Sequence, residues 1–173
     1  MTAETEASNR EAERRNLAPG DKELRLDRTF HAPLALVWRM WESRDHMIRW
    51  WGPESFTCVE LDWELTPGRP WRAMMASRQF NRKISRMGGV IQEVETHKRI
   101  VFSFAWDKDT GFDMDTIITV GFAEKNGVTV QSFHQTPFSS VAARDSHVGG
   151  WNSLINKQQL YAENLAIAEG IAP

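Results

Sequence analysis

SVAARDSHVGGWNSLINKQQLYAENLAIAE, residues Ser140–Glu169, is the stretch whose periodicity decides the fold. Val148, Trp151, Leu154, Ile155, Gln158, Tyr161, Ala162 and Leu165 recur at steps of three and four, so they share one stripe of an α-helix. Asn152, Ser153, Asn156, Lys157, Gln159 and Glu163 occupy the opposite, water-compatible face. Gln158, seven residues after Trp151, places an amide on the apolar stripe. A long amphipathic helix needs an apolar surface to cover it, and the upstream segments supply one.

Those segments alternate with a period of two. The first, over 23–30, carries Leu24, Leu26, Arg28 and Phe30. Pro33 then suits the first turn of a helix, where a missing N–H costs nothing. Leu34, Val37, Trp38 and Trp41 continue at helical spacing to about Glu42. A second short helix is expected over Arg44–Trp50, stopped by Trp51-Gly52-Pro53.

From Phe56 onward Val59, Leu61, Trp63 and Leu65 are expected on the buried face of a strand, with Cys58, Glu60, Asp62 and Glu64 opposite. After the turn Thr66–Pro70, a return strand buries Trp71, Ala73 and Met75. The basic, weakly patterned run Ser77–Met87 reads as an exposed hairpin end. Strands over Val90–Val94, Ile100–Trp106, Met114–Phe122 and Val128–Gln135 follow, with a polar loop over Asp107–Gly111 and a hairpin turn at Lys125-Asn126-Gly127. Short connections make successive strands antiparallel. The expected architecture is α+β: a curved antiparallel sheet of six or seven strands around a long C-terminal helix, with two short helices after the first strand. The chain divides into a polar, disordered tail over 1–22 and one domain over 23–169.

Composition bounds the function. The 173 residues carry a formal net charge of -2, without the basic excess expected of a nucleic-acid binder. Eight Trp against one Tyr point to large apolar contact surfaces. Cys58 is the lone cysteine, which excludes an intrachain disulfide and fits a reducing compartment. The first residues lack an apolar secretory core, and no apolar run is long enough to span a bilayer. A cytoplasmic protein without membrane attachment is expected.

Several motifs resemble a known family. Phe30-His31-Ala32-Pro33, Val37-Trp38, Trp41, His46 and Trp50-Trp51-Gly52-Pro53 come first. In register after them are Glu64-Leu65-Thr66-Pro67-Gly68, Trp71-Arg72, Gly89, Glu93-Val94, Arg99-Ile100-Val101-Phe102, Gly150-Trp151, Leu154 and Tyr161. Together, over about residues 23–166, they resemble the bacterial branch of the Activator of Hsp-90 ATPase homologue family, of the SRPBCC or START-like superfamily. The resemblance implies the helix-grip fold. It leaves function open, because that superfamily includes carriers, cyclases, hydrolases and co-chaperones. Three positions depart from the family pattern: Thr66 and Arg69 stand where Arg and Gly are usual, and Gln158 replaces a usual Leu.

No phosphate loop, His-Glu-x-x-His or Cys-x-x-Cys motif is present, so no metal, cofactor or catalytic residue is assigned. Of His31, His46, His97, His134 and His147, His134 is the best candidate for a cavity or its mouth, although alternation with Phe133 turns it outward. Glu93 could act as a general acid or base if it faced inward, but an ion pair with Arg99 across the hairpin is the simpler reading. Gln131 and Gln158 each need a buried partner: water, each other, or a ligand.

The expected cavity lies between sheet and final helix and opens near the two short helices. Its expected lining is Trp71, Met75, Phe102, Phe104, Trp106, Ile118, Gln131, Phe133, Trp151, Leu154 and Gln158, with most other Trp side chains filling space. The leading functional expectation is non-catalytic binding or carriage of a small hydrophobic or aromatic molecule by a monomer or weak homodimer. A chaperone-interacting module and a cyclase- or hydrolase-like enzyme are the alternatives.

Overall fold

A computed structural model describes residues 19–107 and 114–171. A 3-10 turn at Pro19–Lys22 leads into β1 (Leu24–Phe30), α1 (Leu34–Glu42) and α2 (Arg44–Met47). Six strands follow: β2 (Thr57–Asp62), β3 (Pro70–Ser77), β4 (Lys83–Glu95), β5 (Arg99–Trp106), β6 (Thr116–Lys125) and β7 (Val128–Thr136). The chain closes with α3 (Val141–Ala168). The expected tail falls mostly on residues 1–18, and the polar loop after Asp107 mostly on 108–113; both lie outside the described residues.

The strands form one antiparallel sheet in the order β1-β7-β6-β5-β4-β3-β2. Short hairpin connections place each strand from β2 to β7 beside the next, and only β1 joins out of sequence, against β7. The curved sheet wraps α3, whose buried stripe is His147, Trp151, Leu154, Ile155, Gln158, Ala162 and Ala166. This is the helix-grip architecture that the periodicity implied. Ser140 caps α3 by accepting the Ala143 N–H at 3.0 Å, satisfying a donor that the first turn leaves without a partner.

Two details depart from simple alternation. A register shift between Cys58 and Glu60 in the β2–β3 ladder resets the phase of β2. Cys58 therefore turns inward at 6% exposure, whereas Val59, expected inside, is exposed. A bulge does this because one extra residue on one strand reverses every side chain that precedes it. The second departure is the run Ser77–Met87. Instead of a wholly exposed hairpin end, it contributes buried Ser77 to β3 and the start of a 13-residue β4, with Ser85 and Met87 pointing inward.

Glycine permits the close approach of β4 to its neighbour. A Cβ at Gly89 would lie 2.0 Å from the Ser103 carbonyl oxygen. Ser103 Oγ accepts the adjacent Val90 N–H at 2.8 Å. The Trp residues of α1, the α2 end and the first strands fill the space between helices and sheet, as their number suggested. Trp41, Trp50, Trp51, Trp63 and Trp71 are all buried and meet through edge or tilted ring contacts. Their indole N–H groups mostly end on backbone: Trp50 on Met40 O, Trp63 on Trp41 O and Trp71 on Ser103 O.

Candidate functional site: an apolar cavity beside the last helix

Sheet and helix do not close completely. A cavity of about 180 Å³ remains between the N-terminal half of α3 and strands β3 to β5. Its walls are Met75 of β3, Lys83, Ser85 and Met87 of β4, Phe104 and Trp106 of β5, and Ser146, His147, Gly150, Trp151 and Leu154 of α3. Trp51, Pro53 and Phe56, from the segment that follows the short helices, complete it. The cavity is thus where expected along one side.

The predicted lining divides in two. Met75, Phe104, Trp106, Trp151 and Leu154 face the cavity. Trp71, Phe102, Ile118, Gln131, Phe133 and Gln158 do not line it; each is buried in the packed core. Their inward direction was read correctly from alternation, but the hollow touches only part of β3 to β5: Trp71 and Phe102 pack on each other and on Trp63 instead, and on β7 Phe133 and Gln131 meet α3 directly. Gln131 and Gln158 show this clearly. Each Nε2 donates to the other's Oε1 at 2.9 Å, and Trp41 Nε1 donates to Gln131 Oε1 at 2.9 Å. Their polar groups are engaged with one another.

Trp151 is the central wall. Its ring meets Trp51 at 5.7 Å, Phe104 at 5.7 Å and Phe133 at 4.5 Å between centroids. Its indole N–H donates to Gln135 Oε1 at 2.7 Å, and Gln135 Nε2 donates to Thr116 Oγ1 at 2.9 Å. Thr116 in turn donates to Phe104 O at 3.1 Å. This buried chain of hydrogen bonds fixes the ring that the ligand would touch, because each link satisfies a group that would otherwise be costly to bury.

His147 was missed as a cavity residue, although it lies four residues before Trp151 on the same stripe. It is 8% exposed, and Trp106 Nε1 donates to its Nε2 at 3.0 Å. Its Nδ1 lies 2.6 Å from Ala143 O, which requires the proton on Nδ1. Both contacts suit a neutral imidazole, and burial holds its pKa below the ordinary histidine value. Lys83, Ser85 and Met87 were missed for a different reason: the basic composition of their run masked its period of two.

The segment over the cavity is tied to α3. Lys157 Nζ donates to Gly52 O and Phe56 O, both at 3.1 Å. Ser153 Oγ accepts the Glu54 N–H at 2.7 Å. Gly52 has φ +105°, a left-handed conformation that turns the chain from the helices into this segment. Half-burial lowers the Lys157 pKa.

The candidate acid–base residues lie elsewhere. Glu93 is exposed and pairs with Arg99 at 2.6 Å, the simpler of its two expected roles. His134 sits on the outer face of β7, 3.5 Å from Glu23, and not at the cavity mouth. Cys58 is buried and its thiol is pushed up to about 11, chiefly by desolvation, which disfavours the reactive thiolate. Among the described residues no cluster of three or more His, Cys, Asp or Glu could hold a metal ion. No helix among them is long and apolar enough to cross a membrane.

A curved sheet gripping a C-terminal helix, with an aromatic-walled cavity between them, defines a START-like domain with a small-molecule cavity. Residues 31–163 match the family described as Activator of Hsp90 ATPase homolog 1-like protein, and the chain belongs to that family. Solved structures are similar across nearly their whole length. A Chromobacterium violaceum protein is 22% identical with a TM-score of 0.75, covering 82% of this chain and 97% of its own. The AHSA1 protein of Silicibacter pomeroyi is 21% identical with a TM-score of 0.72, covering 84% and 99%. A Mycobacterium smegmatis protein is 19% identical with a TM-score of 0.71, covering 86% and 92%. At these identities the likeness concerns the fold. Comparison with curated proteins gives no match.

Proposed function

We propose that this protein binds and carries a small apolar or aromatic molecule in the cavity between β3–β5 and α3, without transforming it. The observation that carries this reading is the wall itself. Trp51, Phe56, Phe104, Trp106 and Trp151 surround a hollow that their own packing leaves unfilled. Small-molecule sites are typically mostly apolar, with a few polar groups that orient the ligand. An empty cavity of roughly 150 Å³ accepts benzene, so 180 Å³ suits a body of one or two rings. Binding without catalysis is supported by Glu93 in its exposed ion pair and His134 on the outer face.

The test is a titration followed by intrinsic Trp fluorescence, using a panel of one- and two-ring aromatic compounds. Saturable quenching is expected, because three of the walls are indoles. No saturable response from any compound would remove the reading. The family description alone favours a second reading, a chaperone-interacting module, and an ATPase assay with a bacterial Hsp90 homologue would test it. We place the protein in the reducing cytoplasm, on the single Cys58, as a monomer or weak homodimer; sedimentation would check the latter.

A further inference from the structure

We propose that the cavity selects an aromatic molecule carrying one uncharged polar group, a hydroxyl or a carbonyl, which bonds to Ser85 Oγ. This rests on the binding reading above and specifies its ligand class. Ser85 lies on the inward face of β4, between exposed Lys83 and buried Met87, and is the cross-strand partner of Met75 on β3. The residue is 4% exposed, yet among the described residues its hydroxyl has no hydrogen-bond partner. It opens on the hollow, unlike the Trp51 indole N–H, which also lacks an acceptor but is wholly buried. The other polar side chains of the wall are engaged. Ser146 Oγ donates to Ala143 O at 2.8 Å, the Trp106 and Trp151 N–H groups reach His147 and Gln135, and both His147 nitrogens are occupied. A ligand group that meets Ser85 therefore fills a vacancy that the fold itself leaves.

The absence of charge on that group follows from the wall. Lys83 is its one side chain charged at neutral pH, and it already has a partner. His147 is held neutral by burial. Glu54, next to Pro53 in the chain, is exposed and within Coulombic reach of half-buried Lys157, and neither of them lines the hollow. Moving an unpaired charge from water into apolar surroundings costs far more than moving a neutral hydroxyl. A serine hydroxyl both donates and accepts, so a phenol, an alcohol or a ketone satisfies it. A hydrocarbon of the same shape leaves it without a partner and forfeits the hydrogen bond.

Isothermal titration of the full chain with 2-naphthol, 2-methylnaphthalene and 2-naphthoate tests the assignment, because the three differ at one substituent. Ser85→Ala is expected to weaken naphthol about threefold to tenfold, the range of one neutral hydrogen bond, and to leave methylnaphthalene within about twofold. Ser85→Cys keeps the shape with a weak hydrogen-bonding group and should lose naphthol affinity as well. Near-UV circular dichroism confirms that both variants keep their packing. In the parent protein naphthoate is expected to bind at least about tenfold more weakly than naphthol. A loss shared equally by naphthol and methylnaphthalene, or no loss for either, would overturn the role of Ser85. Naphthoate binding as tightly as naphthol would overturn the uncharged class. Both results leave the cavity reading intact. If none of the three binds, the proposal falls. The cavity reading then stands or falls separately, on whether any compound of the wider panel binds and is blocked by Leu154→Trp.

Discussion

Gln131 and Gln158 face one another across the sheet–helix interface as a reciprocal amide pair, each donating to the other at 2.9 Å. Trp41 donates to the same Gln131 oxygen, so three elements meet at one buried polar point. The pair holds α3 in one register against β7, because sliding the helix would leave two amides without partners. Gln158→Leu should therefore destabilise the protein by about 1–3 kcal/mol, the cost of stranding a buried amide. Replacing both by Leu should recover part of that loss, though Trp41 N–H then lacks its acceptor. Urea denaturation of the two single variants and the double variant measures the coupling. Ligand affinity should stay within about twofold, since neither residue lines the cavity.

The cavity makes opposite predictions for filling and emptying. Leu154→Trp adds bulk to the floor and should abolish aromatic binding, while the melting temperature changes little or rises. Met87→Ala enlarges the hollow and should cost about 2–5 kcal/mol of stability. Binding of a bulkier aromatic compound should improve in the same variant. Paired calorimetry and thermal melts distinguish the two effects.

Acid should weaken the fold through its histidines. Burial holds both His147 and His46 below the ordinary value of 6.5. Between 6.5 and the folded-state value the unfolded chain binds more protons than the native one. The stability from these groups is complete above pH 6.5 and is lost as pH falls through the folded value. Protonation of His147 would also set a donor against the Trp106 N–H. Thermal melts from about pH 8 to 5 should show a declining midpoint, with a shallower slope in His147→Gln than in the parent.

The thiol of Cys58 should be silent in the native state. Desolvation pushes it up to about 11, above the ordinary thiol value of 9.0. Its stabilising effect is present below pH 9.0 and is lost as pH rises toward 11. A thiol-specific chromogenic reagent near pH 8 should react slowly with folded protein and promptly after denaturation. Fast native labelling would show that β2 opens readily at its bulge.

Lys157 should govern how quickly a ligand enters and leaves. Its ammonium ties two carbonyls of the Gly52–Phe56 segment to α3. Lys157→Met keeps much of the stem but removes both bonds. Association and dissociation should both accelerate in stopped-flow fluorescence, while the equilibrium constant moves by less than about threefold.

How much of this was legible beforehand differs by level. Alternation of period two placed Trp71, Phe102, Ile118 and Phe133 on the inward face, and all four are buried. Helical spacing likewise found the stripe from Trp151 to Ala162. Cys58 was misplaced because a bulge is a property of two strands: nothing in residues 56–65 alone records that β3 offers one residue fewer opposite them. His147 was overlooked because an imidazole on a stripe resembles a polar interruption until Trp106 is seen donating to it.

By itself the sequence determined periodicity, and therefore the order of elements, their apolar faces and the helix-grip class. Those are local properties, set by the step of a backbone and the hydropathy of each residue along it. Tertiary structure alone decided where the hollow lies, and which of the inward residues surround it. A curved sheet and a straight helix separate at one end, and that end is set by twist, bulges and side-chain volumes summed over every strand. Gln131 and Gln158 fell where the surfaces touch, Ser85 and His147 where they part, and spacing along the chain is the same in both cases.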